Sequence, residues 1–596
     1  MADTTSTPAA EEKKALGRRG FLGRSAAVGI AAAAAPTVLA ACSGGNEGDD
    51  SVTGGEDYEQ GSAELQQELG AEIDGMNYPD GYKGPRAREI EAFGDGETEF
   101  TVLGRTIPEM DYPTNYYANY LEEKTGVKVK YIEVPLGDDG QTKVNALISG
   151  GDLPHAMMTG MGLFTPSQVA IYGQQGLFQP VDKLIDEHAP RIREMFEIFP
   201  DMRTLFTAPD GRMYAVPSMN DCYHCKSYEV RTYINNDWLE GTGSPMPESL
   251  EDFEALMETF KGYGDKPGNS VLVTASQDRV MSLMHFFMGS FLPASIDYMR
   301  LNGGTIEWIP TDEKYREGLS WIQEQFRNGT FDKNMFSMDI EQLSRMGDNP
   351  DGPRFGVVSG GAPSSFITAP DMADPNSPGR KFKALPPMEG PDGTRTSEWD
   401  WYQIGSPNFV ITSECPDPVT MIRWADAQFD LASTISMACG EQGVGWDWAD
   451  EGVTGISGEQ AVYSTLPTPD DLKNQTWWEW GSFFKSMDQR HGESVAEDSP
   501  SVEPHLYEAG KAYEPYRLDQ ETKVPTLAYT MDDAAAVGEY TTNLTQHIEQ
   551  SISNFATGAA DVTKDADWDA FVNKFDELGL PQYLEIQQKT YDNRAQ

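Results

Sequence analysis

The sequence predicts an α/β protein with a parallel sheet and more than one lobe. Short apolar runs alternate with helical spacings from residue 99 onward, glycine-containing turns separate them, and the chain has 596 residues. Strand, helix and strand units of this size are typical of parallel sheets. A chain this long exceeds what one hydrophobic core organises, so we expect at least two lobes.

The chain opens with three zones in the order of an export signal. A polar start ends at Arg18 and Arg19, an apolar run covers residues 26–41, and Cys42 follows. The run is alanine-rich and shorter than the roughly 20 residues that span a bilayer, which predicts cleavage rather than retention. Residues 1–41 are therefore interpreted as a signal peptide. The paired arginines followed by Gly-Phe-Leu resemble a twin-arginine (Tat) export signal.

Cys42 is interpreted as a lipid attachment site. The preceding Leu-Ala-Ala resembles a lipobox, in which small residues admit a signal peptidase and the cysteine thiol accepts a diacylglyceryl group. The alternative is an ordinary buried cysteine. An acyl chain such as palmitate adds roughly 0.8 kcal/mol of membrane affinity per buried CH₂. We therefore expect a lipid-anchored protein on the extracytoplasmic face of the cell membrane.

Residues 42–95 are expected to form a lipidated, disordered tether. They are rich in Gly, Ser, Asp and Glu and show no sustained apolar period. A segment of this composition does not bury enough apolar surface to fold by itself. It would lift the globular body off the membrane surface.

The composition limits the kinds of partner that the protein can bind. The formal net charge is −50, from 95 acidic against 45 basic residues, which excludes a nucleic-acid partner because phosphate binding needs a basic surface. The charge also disfavours a polyanionic ligand, although a local pocket can differ from the global field. Aromatic residues make up 11% of the chain, with 12 Trp, which suits a carbohydrate binder.

Four cysteines follow Cys42, and an even number in an oxidising compartment suggests disulfides. Cys222 and Cys225 are the favoured pair, and free thiols are the next alternative. The Cys-Tyr-His-Cys sequence also fits a redox motif or half of a zinc motif. Cys415 and Cys439 are too far apart to supply the other half locally, so no metal is expected.

The alternation after residue 99 predicts a series of elements. Strands are expected at 100–103, 127–134 and 156–159, and helices at 116–124, 141–148 and 166–175. In open parallel sheets the ligand lies beyond the carboxyl ends of the strands. We therefore expect ligand contacts in the loops after Leu103, after Thr159 and around Asn220.

Five short motifs occur in order over almost the whole chain after Cys42. They lie at residues 121–129 with 148–154, at 176–182 (Gly-Leu-Phe-Gln-Pro-Val-Asp), at 210–217 (Asp-Gly-Arg-Met-Tyr-Ala-Val-Pro), at 233–239 (Tyr-Ile-Asn-Asn-Asp-Trp-Leu) and at 555–592. Together they resemble the lipoprotein type of family 1 extracellular solute-binding proteins, whose relatives include oligosaccharide binders.

The resemblance implies a two-lobed, periplasmic-binding-protein-like fold with discontinuous lobes and a ligand cleft between them. We expect residues 96–225 with 350–412 to form the N-terminal lobe, and 226–349 with 413–596 the C-terminal lobe. The implied function is a monomeric, lipid-anchored binder, not an enzyme. It would capture a carbohydrate, most simply an oligosaccharide, and deliver it to the permease subunits of an ABC importer.

The sequence departs from the family at one loop. Relatives often carry an acidic calcium loop after the helix that ends near Phe260. Here residues 261–269 read Lys-Gly-Tyr-Gly-Asp-Lys-Pro-Gly-Asn, which lack most of the oxygen ligands that calcium requires. We expect no calcium at this loop and no cofactor elsewhere.

Aromatic candidates for ligand contact come first, because a sugar ring offers an apolar face and a rim of hydroxyls. Trp399, Trp401 and Tyr402 interleave with carboxylates. In a strand Trp399 and Trp401 would share a face, which fits either a stacking platform or a core wedge. In the family, the glycine-rich segment equivalent to residues 440–448 lies by the cleft, which implies ligand contacts for Trp446 and Trp448.

Polar candidates lie in loops that follow the expected strands, where side chains can meet sugar hydroxyls. The alternative for each is a solvated surface position. A Gly-rich loop at residues 359–364 is a further candidate. The polar candidates are Asp111, Asn220, Asp221, His224, Gln277 and Arg279.

Other functions remain open at this point. A secreted glycoside hydrolase would need two carboxylates about 5 to 10 Å apart. Because this chain is so rich in acidic residues, the presence of such a pair would not distinguish a hydrolase from a binder. The motifs Gly-x-Ser-x-Gly and His-Glu-x-x-His and the P-loop are missing from the sequence. An adhesin would predict repeats, which the sequence lacks, whereas a binder of peptide or another polar solute fits the same fold.

Overall fold

The computed structural model describes residues 63–594, apart from residues 161, 209, 369–371, 402–404, 467–471, 478, 500, 526, 528 and 530. The expected signal peptide, Cys42 and the first part of the expected tether lie outside the described residues, as does Tyr402. Among the helices that are described, none is long and apolar enough to cross a bilayer.

The described strands form two principal sheets and two small ones. In chain order they are β1 Glu99–Thr106, β2 Lys128–Pro135, β3 Ala156–Met158, β4 Val216–Asn220, β5 Thr232–Asn235, β6 Val271–Thr274, β7 Met299–Asn302, β8 Thr305–Trp308, β9 Phe355–Ser359, β10 Phe382–Ala384, β11 Gly405–Ile411, β12 Trp446–Trp448, β13 Tyr463–Thr465, β14 Phe484–Lys485 and β15 Glu493–Val495. The sheet orders are β14-β4-β11-β3-β1-β2, β10-β5-β9-β6, β12-β13-β15 and β7-β8.

Helices surround both principal sheets. In chain order they are α1 Ala63–Leu69, α2 Tyr116–Thr125, α3 Asp138–Gly150, α4 Pro166–Gln174, α5 Asp182–His188, α6 Pro190–Ile198, α7 Pro200–Leu205, α8 Asn236–Thr242, α9 Leu250–Gly262, α10 Val280–Met288, α11 Glu313–Arg327, α12 Ile340–Gly347, α13 Pro418–Ala427, α14 Leu431–Cys439, α15 Leu472–Gln475, α16 Met487–His491, α17 Glu503–Tyr513, α18 Met531–Thr557, α19 Asp565–Glu577 and α20 Leu580–Arg594.

The expected elements from residue 99 onward are confirmed. β1 pairs in parallel with β2 and with β3, and α2 connects the first two strands. The α2 helix begins where the Asn115 side chain accepts a hydrogen bond from the Ala118 N–H, and it ends at Gly126, whose φ of 71° is left-handed. An asparagine at the N-cap and a glycine just after the last helical residue are local signals that can be recognised in the sequence itself.

The six-stranded sheet is mixed, because β11 runs antiparallel to both β3 and β4. Its strands and their helices bury an aromatic core in which the Trp424, Trp477 and Phe409 side chains meet. We call this unit the first lobe. The small sheet β12-β13-β15 packs beside it and buries the Trp446 side chain against α14.

The four-stranded sheet organises the second lobe. Helices α9, α10 and α11 pack on it through residues such as Phe253 and Phe287. The C-terminal helices α18, α19 and α20 extend the same core, where the Trp308 ring meets the rings of Phe575 and Tyr583 edge-on. The last 60 or so residues therefore belong to the body of the second lobe.

The chain crosses between the lobes three times, at residues 221–231, 385–404 and 496–502. The expected lobe boundaries are therefore wrong in two places. Strands β9 and β10, expected in the N-terminal lobe, hydrogen-bond to the second sheet, while α13 and β14, expected in the C-terminal lobe, pack in the first core. Backbone pairing decides lobe membership, and composition does not mark the points at which the chain changes sheet.

The second half of the expected tether is folded. The helix α1 packs against α6, and Leu65, Leu69 and Tyr82 are buried. The Arg88 backbone N–H donates to Oδ2 of Asp430, which is itself buried in the first lobe. A few scattered apolar residues suffice here because the first lobe supplies the surface that covers them, which a periodicity test along the segment does not detect.

The loop after α9, where calcium was not expected, holds a lysine ammonium. The Lys266 Nζ atom donates to the carbonyl oxygens of Phe260 and Lys261, at the C-terminus of α9. Carbonyls at a helix C-terminus carry partial negative charge and attract cations. A charge fixed to the chain thus occupies the place where an external cation would meet these carbonyls.

We expect Lys266→Met to lower the free energy of unfolding by about 1 kcal/mol, because the last carbonyls of α9 lose their cationic partner. Urea denaturation measures this change. Lys261→Met is the matched control, since the Lys261 ammonium forms an ion pair with the exposed Glu258 on the helix surface and contributes little. Calcium or a chelator should leave the melting temperature of the wild type unchanged, and a rise with calcium would contradict the role given to Lys266.

Candidate functional site

A cavity of about 450 Å³ lies where the two lobes meet. The first lobe lines it with α14, β13 and α16, and the second lobe lines it with Ser364 and the start of α17. Cavities of about 580 and 650 Å³ also exist, but residues of the second lobe alone line them. Ligand sites occur preferentially between domains, so the shared cavity is the candidate site.

The cavity wall contains an ion pair that joins the lobes. Nη2 of Arg490, on α16, lies 2.8 and 2.9 Å from the two carboxylate oxygens of Glu503, the first residue of α17. Nη1 of the same guanidinium donates to Oδ1 of Asn220 at 2.9 Å. The Nε2 atom of His224 lies 3.0 Å from Oε2 of Glu503. Residues from the end of β4, the first crossover and both lobes thus meet at one guanidinium.

The charges of this group follow from its burial. Burial raises the pKa of Glu503, but the Arg490 guanidinium and His224 outweigh that effect and hold the pKa well below its ordinary value. Burial lowers the pKa of His224, even though Glu503 opposes that shift. At neutral pH the group therefore contains an ionised carboxylate, a guanidinium and a neutral imidazole.

A second ion pair lies on the first-lobe wall of the cavity. The Lys485 Nζ atom, at the end of β14, lies 2.8 Å from Oε1 of Glu479. Backbone hydrogen bonds fix the strand that carries this lysine, because the Asp221 N–H donates to the Lys485 carbonyl oxygen. The pair offers a donor and a free acceptor oxygen at the same wall.

Glu493, on β15, is the remaining carboxylate of the cavity lining. The Tyr463 hydroxyl donates to Oε2 and the Ser501 hydroxyl to Oε1, both at 3.3 Å. Burial, followed by repulsion from Glu503, raises the pKa of Glu493 to about 7. This side chain therefore changes between a donor and an acceptor near neutral pH.

The cavity wall is suited to reversible recognition of hydroxyl groups. Its carboxylates, ammonium, guanidinium and hydroxyls are held in place by each other, so their remaining lone pairs and protons point in fixed directions. Charge-assisted hydrogen bonds of this kind are stronger than neutral ones. A polyol gives and accepts hydrogen bonds at every hydroxyl and fits such a wall.

The expected tryptophan platform is not available to a ligand. Trp399 and Trp401 have exposed fractions of 1% and 4% and lie in the core of the second lobe. The Trp401 Nε1–H donates to the Leu518 carbonyl oxygen at 2.9 Å. Of the two expected roles, the core wedge is the one the structure supports, because tryptophan contributes most when its whole surface is buried.

The second expected aromatic pair is split. Trp446 is fully buried, and its Nε1–H donates to the Gly440 carbonyl oxygen at 3.0 Å. Trp448 is half-buried and packs edge-on against Trp446. Gly445 lines the cavity, so this segment does border the site, but it presents backbone there while the Trp446 ring points into the core.

The polar candidates fall into three groups. Asn220 and His224 lie together beside Arg490, as described, while Asp221 is buried behind them and burial raises its pKa to about 6. Asp111 is exposed, away from the other candidates, and its Oδ2 accepts a hydrogen bond from the Thr114 hydroxyl at 2.7 Å. Gln277 is exposed and Arg279 half-buried at the start of α10.

Arg279 contacts an exposed aromatic residue, Tyr228, that was not predicted from the sequence. Its guanidinium lies 4.3 Å from the centre of the Tyr228 ring, and Tyr228 is 40% exposed. The ring also fills the space at Gly361, where a Cβ would collide with it. Gly361 belongs to the expected Gly-rich loop, which carries the cavity residue Ser364. No local pattern marks Tyr228, because its exposure depends on how that loop folds back.

The charged lining residues were also missed. They are spread over residues 479–503, a polar stretch without periodicity that resembles solvated surface in sequence. Only the return of the chain to the second lobe at residues 496–502 brings them together. A single sequence contains no signal for that meeting.

The structure joins Cys222 to Cys225 in a disulfide. Both sulfurs and one ligand atom of His224 lie within 4.8 Å of one another, so a metal would need the sulfurs that bond to each other here. The cysteines Cys415 and Cys439 are free, buried and half-buried respectively. Burial raises the pKa of Cys439 to about 12, which makes that thiol unreactive.

Comparison with known sequences gives consistent matches. Residues 105–395 match the family described as bacterial extracellular solute-binding protein. The chain is 24% identical over 491 residues to the fructooligosaccharide ABC transporter substrate-binding protein FusA of Streptococcus pneumoniae serotype 4, covering 79% of this chain and 86% of FusA. It is 22% identical over 377 residues to lipoprotein LipO of Bacillus subtilis, covering 60% of this chain and 69% of LipO.

Solved structures share the fold. The structure of S. pneumoniae FusA in complex with kestose aligns with a TM-score of 0.67 at 21% identity, covering 83% of this chain and 99% of that one. The HMO-binding, ABC-transporter-associated solute-binding protein from Bifidobacterium longum infantis aligns with a TM-score of 0.67 at 18% identity, covering 84% and 99%. The two-lobed α/β architecture is therefore the one these proteins have.

We expect Glu493→Gln to change how stability depends on pH. In the wild type the pKa of Glu493 is about 7 when folded, against an ordinary value of 4.5. The folded state therefore holds this proton more tightly, and its contribution, complete below about pH 4.5, is lost as the pH rises to about 7. Relative to the wild type, the glutamine variant should gain about 1 to 3 kcal/mol between pH 5 and 8.

Urea denaturation at a series of pH values measures this difference. Glu187→Gln, at an exposed position of α5, is the control and should show no such gain. Glu503 does not interfere, because its low pKa places its own contribution at more acidic pH. A difference that stays constant with pH would contradict the raised pKa of Glu493.

Proposed function

Since this chain belongs to the family of bacterial extracellular solute-binding proteins, we propose that it captures a carbohydrate in the cavity between its lobes and delivers it to an ABC importer. The observation that carries the proposal is the shared cavity, whose wall is built of charged and hydroxyl groups from both lobes. FusA and the HMO-binding protein bind oligosaccharides by their names, and an oligosaccharide is the proposed ligand class.

Ligand capture would use the two lobes as two moving parts. The crossovers at residues 221–231, 385–404 and 496–502 are the covalent links between the lobes. A ligand that touches Ser364 on one side and Glu479 or Lys485 on the other gains contacts only when the lobes approach. Such a ligand shifts the population toward the closed form, which is the form proposed to dock on the permease.

The Tyr228 ring is the proposed stacking surface for a sugar. One face lies against the Arg279 guanidinium, and the exposed remainder borders the loop that carries Ser364. Aromatic rings bind the C–H faces of sugars through apolar contact. This assignment replaces the role that the sequence suggested for the tryptophans.

The proposed location is the extracytoplasmic face of the membrane. The support is the lipobox-like Leu-Ala-Ala before Cys42, the preceding apolar run and the similarity to lipoprotein LipO. A twin-arginine signal would export the folded chain, and acyl groups on Cys42 would hold it. A monomer with a tethered body is sufficient for delivery to a permease.

We expect at least one neutral oligosaccharide to raise the melting temperature of the protein lacking residues 1–42, which keeps every described residue. Ligand at 100 times its Kd stabilises by about 2.7 kcal/mol. The panel includes kestose, cellotriose, mannotriose and a set of peptides, followed by thermal unfolding. Tyr228→Ala should then weaken the binding of the active sugar about three- to tenfold.

Ile340→Ala is the matched control, because Ile340 is a similarly exposed apolar residue on α12 of the same lobe. It should leave binding unchanged. A shift with peptides alone would overturn the carbohydrate proposal and keep the fold. Release of cleaved glycan, measured by chromatography, would overturn the binder itself.

We expect Cys42→Ala to move the protein from the membrane fraction to the medium in a bacterial host that processes lipoproteins, because the acyl groups have no attachment atom. Labelling with a radioactive fatty acid, followed by fractionation, measures the change. Cys415→Ala is the control and should remain labelled and membrane-bound. Continued labelling of the Cys42 variant would contradict the anchor.

A further inference from the structure

The cations of the shared cavity are already neutralised by the protein. Among the described lining residues, the basic side chains are Lys485 and Arg490. The Lys485 ammonium contacts Glu479 at 2.8 Å, and the Arg490 guanidinium contacts both oxygens of Glu503. A ligand carboxylate entering this cavity would have to compete with a fixed internal carboxylate for each cation.

The same wall contains one carboxylate more than it has cations. Glu493 receives hydrogen bonds from Tyr463 and Ser501 but has no ion-pair partner among the contacts described for it. When ionised it leaves the lining with a surplus negative charge. Repulsion between like charges is strongest where water is excluded, so the ionised Glu493 side chain opposes an anionic ligand.

Hydroxyl groups do not meet this obstacle. A neutral sugar can donate to Oε2 of Glu479 and to the remaining lone pairs of the Glu493 and Glu503 oxygens while each ion pair stays intact. Carboxylates that are fixed by internal pairs need no reorganisation when they accept such bonds. The wall thus favours hydrogen-bond donors over charge partners.

We propose that this cavity selects saccharides without carboxylate groups and rejects uronic-acid saccharides, with Glu479, Glu493 and Glu503 as the specificity-determining residues. The inference rests on the proposed function, because it concerns the ligand of the same cavity. It adds the chemical class that the cavity excludes and the residues that exclude it. The internal pairing of each cation removes an attraction for ligand carboxylates, and the unpaired Glu493 repels them.

Matched trisaccharides test the selection. Kestose, cellotriose and mannotriose are the neutral probes, and trigalacturonate and trimannuronate are the acidic probes, each titrated by calorimetry at pH 7.5 against the protein that keeps all described residues. We expect at least one neutral probe to bind and both acidic probes to bind at least about 100-fold more weakly. An acidic probe that binds as well as the best neutral one overturns the inference and leaves carbohydrate binding standing.

A gain of binding gives a test that misfolding cannot imitate. Glu479→Gln removes the partner of Lys485 and leaves a free ammonium in the cavity wall, at a position where the Glu479 side chain is 43% exposed. We expect this variant to bind at least one acidic probe about tenfold or more better than the wild type does. Glu187→Gln, on the surface of α5, should not change acidic binding. Unchanged rejection in the Glu479 variant overturns the role given to the pairs.

The two proposals fail differently. If neither neutral nor acidic trisaccharides bind the wild type, the proposed carbohydrate function is overturned, and the inference falls with it. If neutral probes bind and the acidic ones bind equally well, only the selection is overturned.

Discussion

The pairing of Arg490 with Glu503 is the constraint on which the site depends. It joins the last helix before the third crossover to the first helix after it, and it also fixes Asn220 at the end of β4 and His224 in the first crossover. A buried ion pair is costly to desolvate and gives little net stability, but removing one partner leaves an expensive unpaired charge. The network therefore specifies one arrangement of the crossovers and the cavity wall more than it strengthens the fold.

The sequence predicted the local elements well because their signals are local. The Asn115 cap, the Gly126 stop and the helical spacing between them define α2 without any tertiary information. The export signal was inferred in the same way, from zones that follow each other in the chain, and it stays a prediction because it lies outside the described residues. The lobe boundaries could not be predicted in this way, because the sequences of β9 and β10 fit a strand of either sheet equally well. Their partners, β5 and β6, lie up to about 150 residues away.

The candidate site shows the same division. Asn220 and His224 were found because they follow a strand, and position after a strand is a local property. Arg490, Glu493 and Glu503 were not found, since acidic and basic residues are common in this chain and only the tertiary fold distinguishes lining from surface. The tryptophans were wrongly predicted as ligand contacts, because a side chain that suits stacking on a sugar suits packing in a hydrophobic core even better. Trp399, Trp401 and Trp446 fill the two cores instead.

The folded segment that begins at α1 has a consequence for geometry at the membrane. Under the proposed anchoring at Cys42, only about 20 residues separate the lipid from the start of α1, which limits the leash to a contour length of about 70 Å. Because α1 is fastened to the first lobe, the tether would attach to that lobe. The second lobe would then be connected to the membrane only through the first lobe and the three crossovers.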